Sequence, residues 1–94
     1  MDANGQRLIG MLGEISAKAR RGDYNGAFIA LNEGIPLIQD AMQRGSGSAG
    51  FAAFGPRIVY SLETLLLMLE QKDWVAIADI IDFEFVPLWK EAFP

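Results

Sequence analysis

The residues of this sequence best suited to chemistry are carboxylates near its C-terminal end. Asp79, Asp82 and Glu84 lie within one span of six residues, and Asp73 precedes them. On a helix, Asp79 and Asp82 share a face, where carboxylate oxygens can hold a hard cation. A fixed metal site needs further ligands from another helix, and the matching part of the first half supplies few. The pattern therefore favours a solvated or salt-bridged face, and no metal or cofactor is predicted. Asp79 alone could instead face the core, in a structural role.

The composition removes most catalytic sites, because the chain has neither cysteine nor histidine. Disulfides and thiolate nucleophiles are excluded, together with Ser-His-Asp triads and histidine-containing metal sites. The net charge of −4 argues against a surface that binds phosphates, and so against nucleic acid as a partner. The sequence therefore predicts no catalytic residues, and we expect a protein that is not an enzyme.

The N-terminal segment carries no targeting signal that the sequence reveals. Residues 1–7 lack the basic stretch and the long apolar run of a secretory signal. No apolar stretch is expected to reach the roughly 18 residues of a membrane span. The absence of cysteine fits a reducing compartment. We therefore predict a cytoplasmic protein without a membrane partner.

The first half has the period of two amphipathic helices. From residue 4 to 21, a stripe recurs at spacings of three and four: Leu8, Met11, Leu12, Ile15 and Ala19. Gly22 and Asp23 then supply a left-handed stop and a side-chain acceptor for the next helix, as in a tight helical hairpin. The second helix begins at Tyr24, and its seam is expected to pack on the first helix: Tyr24, Phe28, Leu31, Ile35, Ile38 and Met42.

The second half repeats this organisation. A third helix is predicted from about Pro56 or Arg57 to Gln71, with a core stripe of Ile58, Leu62, Leu65 and Leu69. Lys72 and Asp73 repeat the stop and cap without the glycine. A fourth helix should run from Trp74 to about Ala92. With 94 residues and 51% hydrophobic content, the chain is expected to form a single helical domain over residues 1–94.

The two halves match residue by residue. The segment Ile35–Met42 aligns with the segment 51 residues later, which ends at Phe93, whereas upstream the matches fall at a spacing of 50. This double register predicts duplicated αα-hairpins over about 8–42 and 58–93, and hence an antiparallel four-helix bundle. The alternative is chance, because any two amphipathic helices share a period.

Two prolines fall inside the predicted helices. Pro36 in the second helix and Pro87 in the fourth cannot donate a backbone hydrogen bond, so each is expected at a kink. A short break is also possible between Glu33 and Pro36. The extra residue before Val86 turns the apolar stripe by about 100°. A bulge or kink near Phe83 to Val86 would keep both parts of the fourth helix facing the core.

Residues 44–56 have the composition of a flexible Gly/Ser linker that contains two aromatic residues, Phe51 and Phe54. This segment is predicted to be the one long loop. Its two rings could form a mobile hydrophobic contact for a partner. Alternatively they could cover the open end of the bundle, as aromatic residues beside a bundle usually do.

The third helix is more apolar than its counterpart. Where the first helix has Gly10, Ser16 and Ala17, the third helix has Tyr60, Leu66 and Leu67. A helix that is apolar on every side must be buried on more than one side. The second apolar side of the third helix is covered either by this chain, through the linker or the C-terminus, or by a second molecule. The surface expected to associate, as a homodimer or with another protein, consists of Val59, Tyr60, Leu66 and Leu67 with Phe51 and Phe54.

The last third of the chain resembles short, uncharacterised bacterial helical proteins. The likeness rests on Lys72-Asp73-Trp74, the tetrapeptide Ala78–Ile81, and the later Glu84, Pro87 and Leu88. It implies a bacterial source and a small helical bundle, without an activity. In fold type and acidity the chain is also loosely similar to flagellar secretion chaperones, which bind an amphipathic client helix, although no motif of theirs is present.

Two functions follow as hypotheses. The first is a non-enzymatic interaction module or small adaptor, similar to a chaperone, that associates with itself or with a client helix through the third helix. The alternative is a bundle that binds a small ligand or a cation in a pocket at the proline kinks. That pocket would be lined by Tyr60, Trp74, Trp89 and the acidic face.

Overall fold

The computed structural model describes residues 3–93, apart from the side chain of Asn4, and shows an all-α chain of four helical segments in that range. The outer limits of the predicted domain, residues 1, 2 and 94, lie outside the described residues. Three segments are single helices: α1 (Ala3–Arg20), α2 (Tyr24–Gly45) and α3 (Ala49–Glu70). The fourth consists of α4 (Trp74–Ile80), a π-helical turn (Ile81–Phe85) and α5 (Val86–Ala92).

The turns that join α1 to α2 and α3 to α4 have the predicted chemistry. Gly22 has φ 81°, and the Asp23 carboxylate accepts a hydrogen bond from the Gly26 amide at 3.0 Å. In the second turn, Lys72 takes the left-handed position with φ 57°, and Asp73 accepts from Ala76 at 3.1 Å. The stop and the cap are therefore confirmed in both turns.

The left-handed lysine leads to a stability prediction. Lys72→Gly should raise the free energy of unfolding by about 0.5 kcal/mol, because the cost of the left-handed backbone exceeds the added entropy of glycine in the unfolded chain. Gly22→Ala should lower it by about 1 kcal/mol for the opposite reason. Urea denaturation followed by circular dichroism measures both. A destabilised Lys72→Gly variant would show that the lysine side chain contributes an interaction at this turn.

The predicted linker is wrong for most of its length. α2 continues to Gly45 and α3 begins at Ala49, so only residues 46–48 connect them. Ser48 caps α3, because its hydroxyl accepts the Phe51 amide at 3.0 Å. Composition suggested a loop, but a capped N-terminus and apolar contacts of the aromatic side chains outweigh the low helix propensity of Gly50 and Gly55.

The bulge predicted in the fourth segment is present. The backbone N–H of Val86 donates to the carbonyl of Ile81, five residues earlier, which closes the π-helical turn. The turn accommodates one extra residue and lies directly before Pro87, which has no amide hydrogen. Ile81 and Phe85 are therefore both buried. The helix α2, in contrast, is continuous through Pro36, so the break considered there is absent.

One hydrophobic core joins all four segments. α1 packs against α2 and α4, and α3 packs against α4, the π-helical turn and α5. Four residues of the predicted stripe of α1 are buried, namely Leu8, Leu12, Ile15 and Ala19. The fifth, Met11, is half-buried and packs against the core. The predicted seam of α2 is partly wrong, because Tyr24 and Phe28 are exposed. The buried positions of α2 are Ala27, Leu31, Gly34 and Ile38.

Small residues explain why α2 turns a different face to the core from the one predicted. Gly34 lies against Met11, and a Cβ atom at position 34 would overlap the Met11 side chain. Ala27 is also fully buried. α1 and α2 therefore pack closely through small residues, and this turns the larger Phe28 out of the core.

Candidate interaction surface and adjoining cleft

The predicted apolar residues of α3 are exposed. We use the name α3 surface for Val59, Tyr60, Leu66 and Leu67, whose exposures range from 36% for Leu66 to 68% for Tyr60. Glu63 lies at its centre, because it is three or four residues from each of the four and is itself exposed. The predicted core stripe lies on the inner side of α3, where Ile58 and Leu65 are buried.

Phe51 and Phe54 do not belong to this surface. Both are half-buried. The Phe51 ring lies 6.3 Å from the ring of Phe93, and Phe54 packs against the hydrophobic core. Of the alternatives for this segment, the aromatic residues therefore take the structural one, and they leave the α3 surface uncovered within the described part of the chain.

A cleft opens beside Tyr60, between α3 and the fourth segment. It has a volume of about 380 Å³ and is lined by Pro56, Arg57, Tyr60, Ser61, Phe83, Glu84, Pro87, Leu88 and Glu91. Tyr60 and Phe83, at 68% and 72% exposure, are the aromatic side chains at this cleft. The cleft therefore lies at Pro87, where the alternative function placed a pocket.

The two tryptophans are not in the cleft. Trp74 stacks on Tyr24, with ring centroids 6.0 Å apart, at the opposite end of α4 from the cleft. Trp89 is buried between Phe85 and Phe93. Of the three aromatic residues predicted to line a pocket, Tyr60 lies at the cleft and the two tryptophans do not. The helical phase after the π-helical turn points Trp89 into the core.

Two of the acidic residues form an interhelical cluster with α1. Asp82 accepts hydrogen bonds from the Ser16 hydroxyl at 2.7 Å and from the Arg20 guanidinium at 2.9 Å. Asp79 accepts from Arg20 at 3.1 Å. The hydrogen bonds from Arg20 to Asp82 and Asp79 raise the pKa of Arg20. The expected salt-bridged face is therefore present at Asp79 and Asp82, and the core-facing alternative for Asp79 is wrong.

The remaining acidic residues separate from this pair. Glu84 lines the cleft, and Asp73 caps α4. Among the described residues, no group of three or more acidic, cysteine or histidine side chains has a geometry that could hold a metal ion.

The contribution of the buried Ser16 hydroxyl to stability should be measurable. Ser16→Ala should lower the free energy of unfolding by about 1 kcal/mol, because Asp82 loses a buried hydrogen-bond donor. The matched control is Ser46→Ala, since Ser46 is exposed and its hydroxyl bonds only the local carbonyl of Gln43. The control should change stability by less than about 0.5 kcal/mol in chemical denaturation. If the two variants changed stability equally, the hydrogen bond between Ser16 and Asp82 would contribute nothing to the stability of the fold.

α3 is also the most apolar of the three long helices by composition. It contains an 18-residue window with a mean hydropathy of 1.3, which meets the length and composition of a membrane span. The expectation that no such stretch exists is therefore wrong. This is weak evidence for a membrane, because core helices of soluble proteins meet the same criterion. Only 22% of the window is buried, so much of the apolar character lies on the outside of α3.

In comparisons with known proteins, no family model, curated sequence or solved structure matches this chain. The resemblances noted in the sequence, the bacterial source and the cytoplasmic location therefore stay predictions. The functional argument depends on the α3 surface and the cleft.

Proposed function

We propose that this protein is a non-enzymatic interaction module that pairs with a second copy of itself through the α3 surface. The observation that carries the proposal is the exposure of Val59, Tyr60, Leu66 and Leu67 after the rest of the chain has folded. Phe51 and Phe54, which were the alternative source of internal cover, are packed elsewhere.

The size of the exposed area supports a reversible dimer. The four side chains form one apolar patch on α3, and the largest apolar patch on ordinary monomers covers about 300–600 Å². A standard interface takes about 800 Å² from each partner. The α3 surface with its polar surroundings could supply that area only by using most of the outer face of α3. A weak and concentration-dependent association is therefore expected.

The order of residues along the outer face of α3 supports a second copy as the occupant. If two α3 helices cross antiparallel at the centre of the surface, Arg57 of one copy reaches the level of Glu70 of the second copy. Tyr60 and Leu67 are then placed opposite each other twice. The two Glu63 carboxylates approach at the centre, and their repulsion opposes the pairing. A client helix with a cation at its centre is the competing occupant.

We also propose the finer architecture: an antiparallel bundle of two duplicated αα-hairpins, with bends at Pro36 and Pro87. In support, the two hairpin turns share their backbone hydrogen bonds at a spacing of 50. Asp23 donates to Lys18 as Asp73 donates to Met68, both at about 3 Å. A measured backbone structure in which the two halves do not superpose in order would contradict the duplication.

A second candidate function is a binding site for a small ligand or a cation at the cleft. The observation that favours it is the volume of about 380 Å³, which lies within the range of small-molecule sites, roughly 300–1,000 Å³. Titration of the labelled protein with a small cation, followed by NMR, tests this function.

A further inference from the structure

We propose that the cleft between α3 and the π-helical turn binds a primary ammonium group carried on a short apolar chain. The inference rests on the second candidate function and does not require self-association, although the cleft shares Tyr60 with the α3 surface.

A hydroxyl without a partner among the described residues lies at this cleft. Ser61 is 3% exposed and lines the cleft. Within the described part of the chain, its hydroxyl forms no hydrogen bond, unlike the hydroxyl of Ser16, which is equally buried and donates to Asp82. The Ser61 oxygen is not among the buried atoms left without a partner, so it is accessible from the cleft and offers an acceptor to a bound donor.

The charges of the cleft select a cation. Glu84 and Glu91 line it with one guanidinium, that of Arg57, which leaves a net charge of −1. None of these three side chains forms an ion pair with another described residue. An ammonium group can donate three hydrogen bonds, and charge-assisted bonds to carboxylates are the stronger kind.

The apolar part of the lining indicates that the ammonium group is attached to an apolar chain. Tyr60 and Phe83 are largely exposed, and Pro56, Pro87 and Leu88 complete the apolar lining. Aromatic faces attract cations, and short methylene chains gain from contact with proline and leucine side chains. A hydrated metal ion would use neither feature. The same chemistry is present in a free alkylamine and in a lysine side chain of another protein.

The test is a titration of ¹⁵N-labelled protein with n-butylammonium, followed by two-dimensional NMR. The amide signals of residues 60–61, 83–86 and 88 should shift along saturable curves. n-Butanol and pentanoate, which have the same butyl chain without the positive charge, should not produce these shifts at equal concentration. Shifts that are spread over the acidic surface, or that are equal for the three probes, would overturn the proposal.

Variants with opposite expected effects sharpen the test. Glu84→Gln should weaken n-butylammonium binding about tenfold, the typical effect of losing a charge-assisted hydrogen bond. Arg57→Gln should strengthen the binding by removing the opposing charge. The control is Glu70→Gln, which makes the same charge change on the exposed face of α3 outside the cleft and should leave the affinity unaltered. If Glu84→Gln and Glu70→Gln weakened n-butylammonium binding equally, the net charge of the protein would explain the binding, and the proposed site would be overturned.

The source of the ammonium group is decided by a second probe, Nα-acetyl-lysine amide. Tighter binding of this peptide mimic than of n-butylammonium indicates a lysine of a protein partner, and tighter binding of the free amine indicates a small molecule. Both titrations are repeated with Leu67→Glu, since Leu67 lies outside the cleft. Binding retained in that variant shows that the ammonium site does not depend on pairing. Binding lost together with pairing would contradict the independence of the two.

Discussion

Trp89→Ala should lower the free energy of unfolding by roughly 3–5 kcal/mol, the usual cost of removing a large aromatic side chain from a core. Trp89 is 2% exposed, and its ring lies 5.8 Å from that of Phe85 and 4.9 Å from that of Phe93. The aromatic contacts join α5 to the π-helical turn. Urea denaturation followed by far-ultraviolet circular dichroism measures the loss.

Trp89→Phe keeps an aromatic ring at this position and removes the indole N–H, so its effect on stability should differ from that of Trp89→Ala. Within the described residues, Nε1 of Trp89 is buried without a hydrogen-bond partner. An unpaired buried donor costs about 1–3 kcal/mol, so its removal offsets part of the lost contact area in Trp89→Phe. That variant should lose less than about 1.5 kcal/mol. If both variants lost the same amount, the indole N–H would have a partner in the folded protein.

Phe83→Ala is the matched control for the core position. Phe83 is an aromatic residue of the same segment but is 72% exposed. Its removal should change the free energy of unfolding by less than about 0.5 kcal/mol. A large loss would mean that Phe83 is covered in solution, for example by a second copy.

Leu67→Glu should weaken the association of two copies by at least about a hundredfold while leaving the monomer folded. Leu67 is 49% exposed on the outer side of α3, so the variant chain can fold with the new carboxylate in water. In the dimer, the same carboxylate would be buried against an apolar surface without a partner. Sedimentation velocity gives the dissociation constant, and circular dichroism checks the fold.

Two variants control this prediction. Ile29→Glu changes an apolar residue of α2 with almost the same exposure, 50%, in a groove that it shares with Met11 and Lys18 of α1. It should not alter association. Glu63→Gln removes a carboxylate from the centre of the α3 surface and should strengthen association. If Leu67→Glu and Ile29→Glu weakened pairing equally, net charge rather than the α3 surface would be the cause.

Local signals in the sequence predicted the parts of the fold that depend on neighbouring residues. Asp23 and Asp73 cap helices because a carboxylate three residues before a free amide can accept its hydrogen bond wherever the helix lies. The π-helical turn before Pro87 was predictable for a similar reason, since an extra residue must turn the apolar stripe. The contrast between the halves also indicated a second apolar side of α3 at Tyr60 and Leu67, but it left open whether the chain itself covers that side.

The remaining features depend on tertiary contacts that composition does not encode. Gly50 and its neighbours suggested a linker, but this glycine allows α3 to approach the carbonyl of Ala92, which no larger residue could do. The burial of Gly34 against Met11 is another close approach of this kind. The ion pairs of Arg20 with Asp79 and Asp82 join positions about 60 residues apart, and neither the partner nor the geometry is visible in local spacing.

The measurement that tests the central proposal most directly is the mass of the unmodified protein over a concentration series, by sedimentation equilibrium. Pairing through the α3 surface predicts a mass that rises with concentration from 10.3 kDa towards twice that value. The Leu67→Glu variant should remain at the monomer mass throughout. A constant mass of 10.3 kDa for the unmodified protein at high micromolar concentration would contradict self-association.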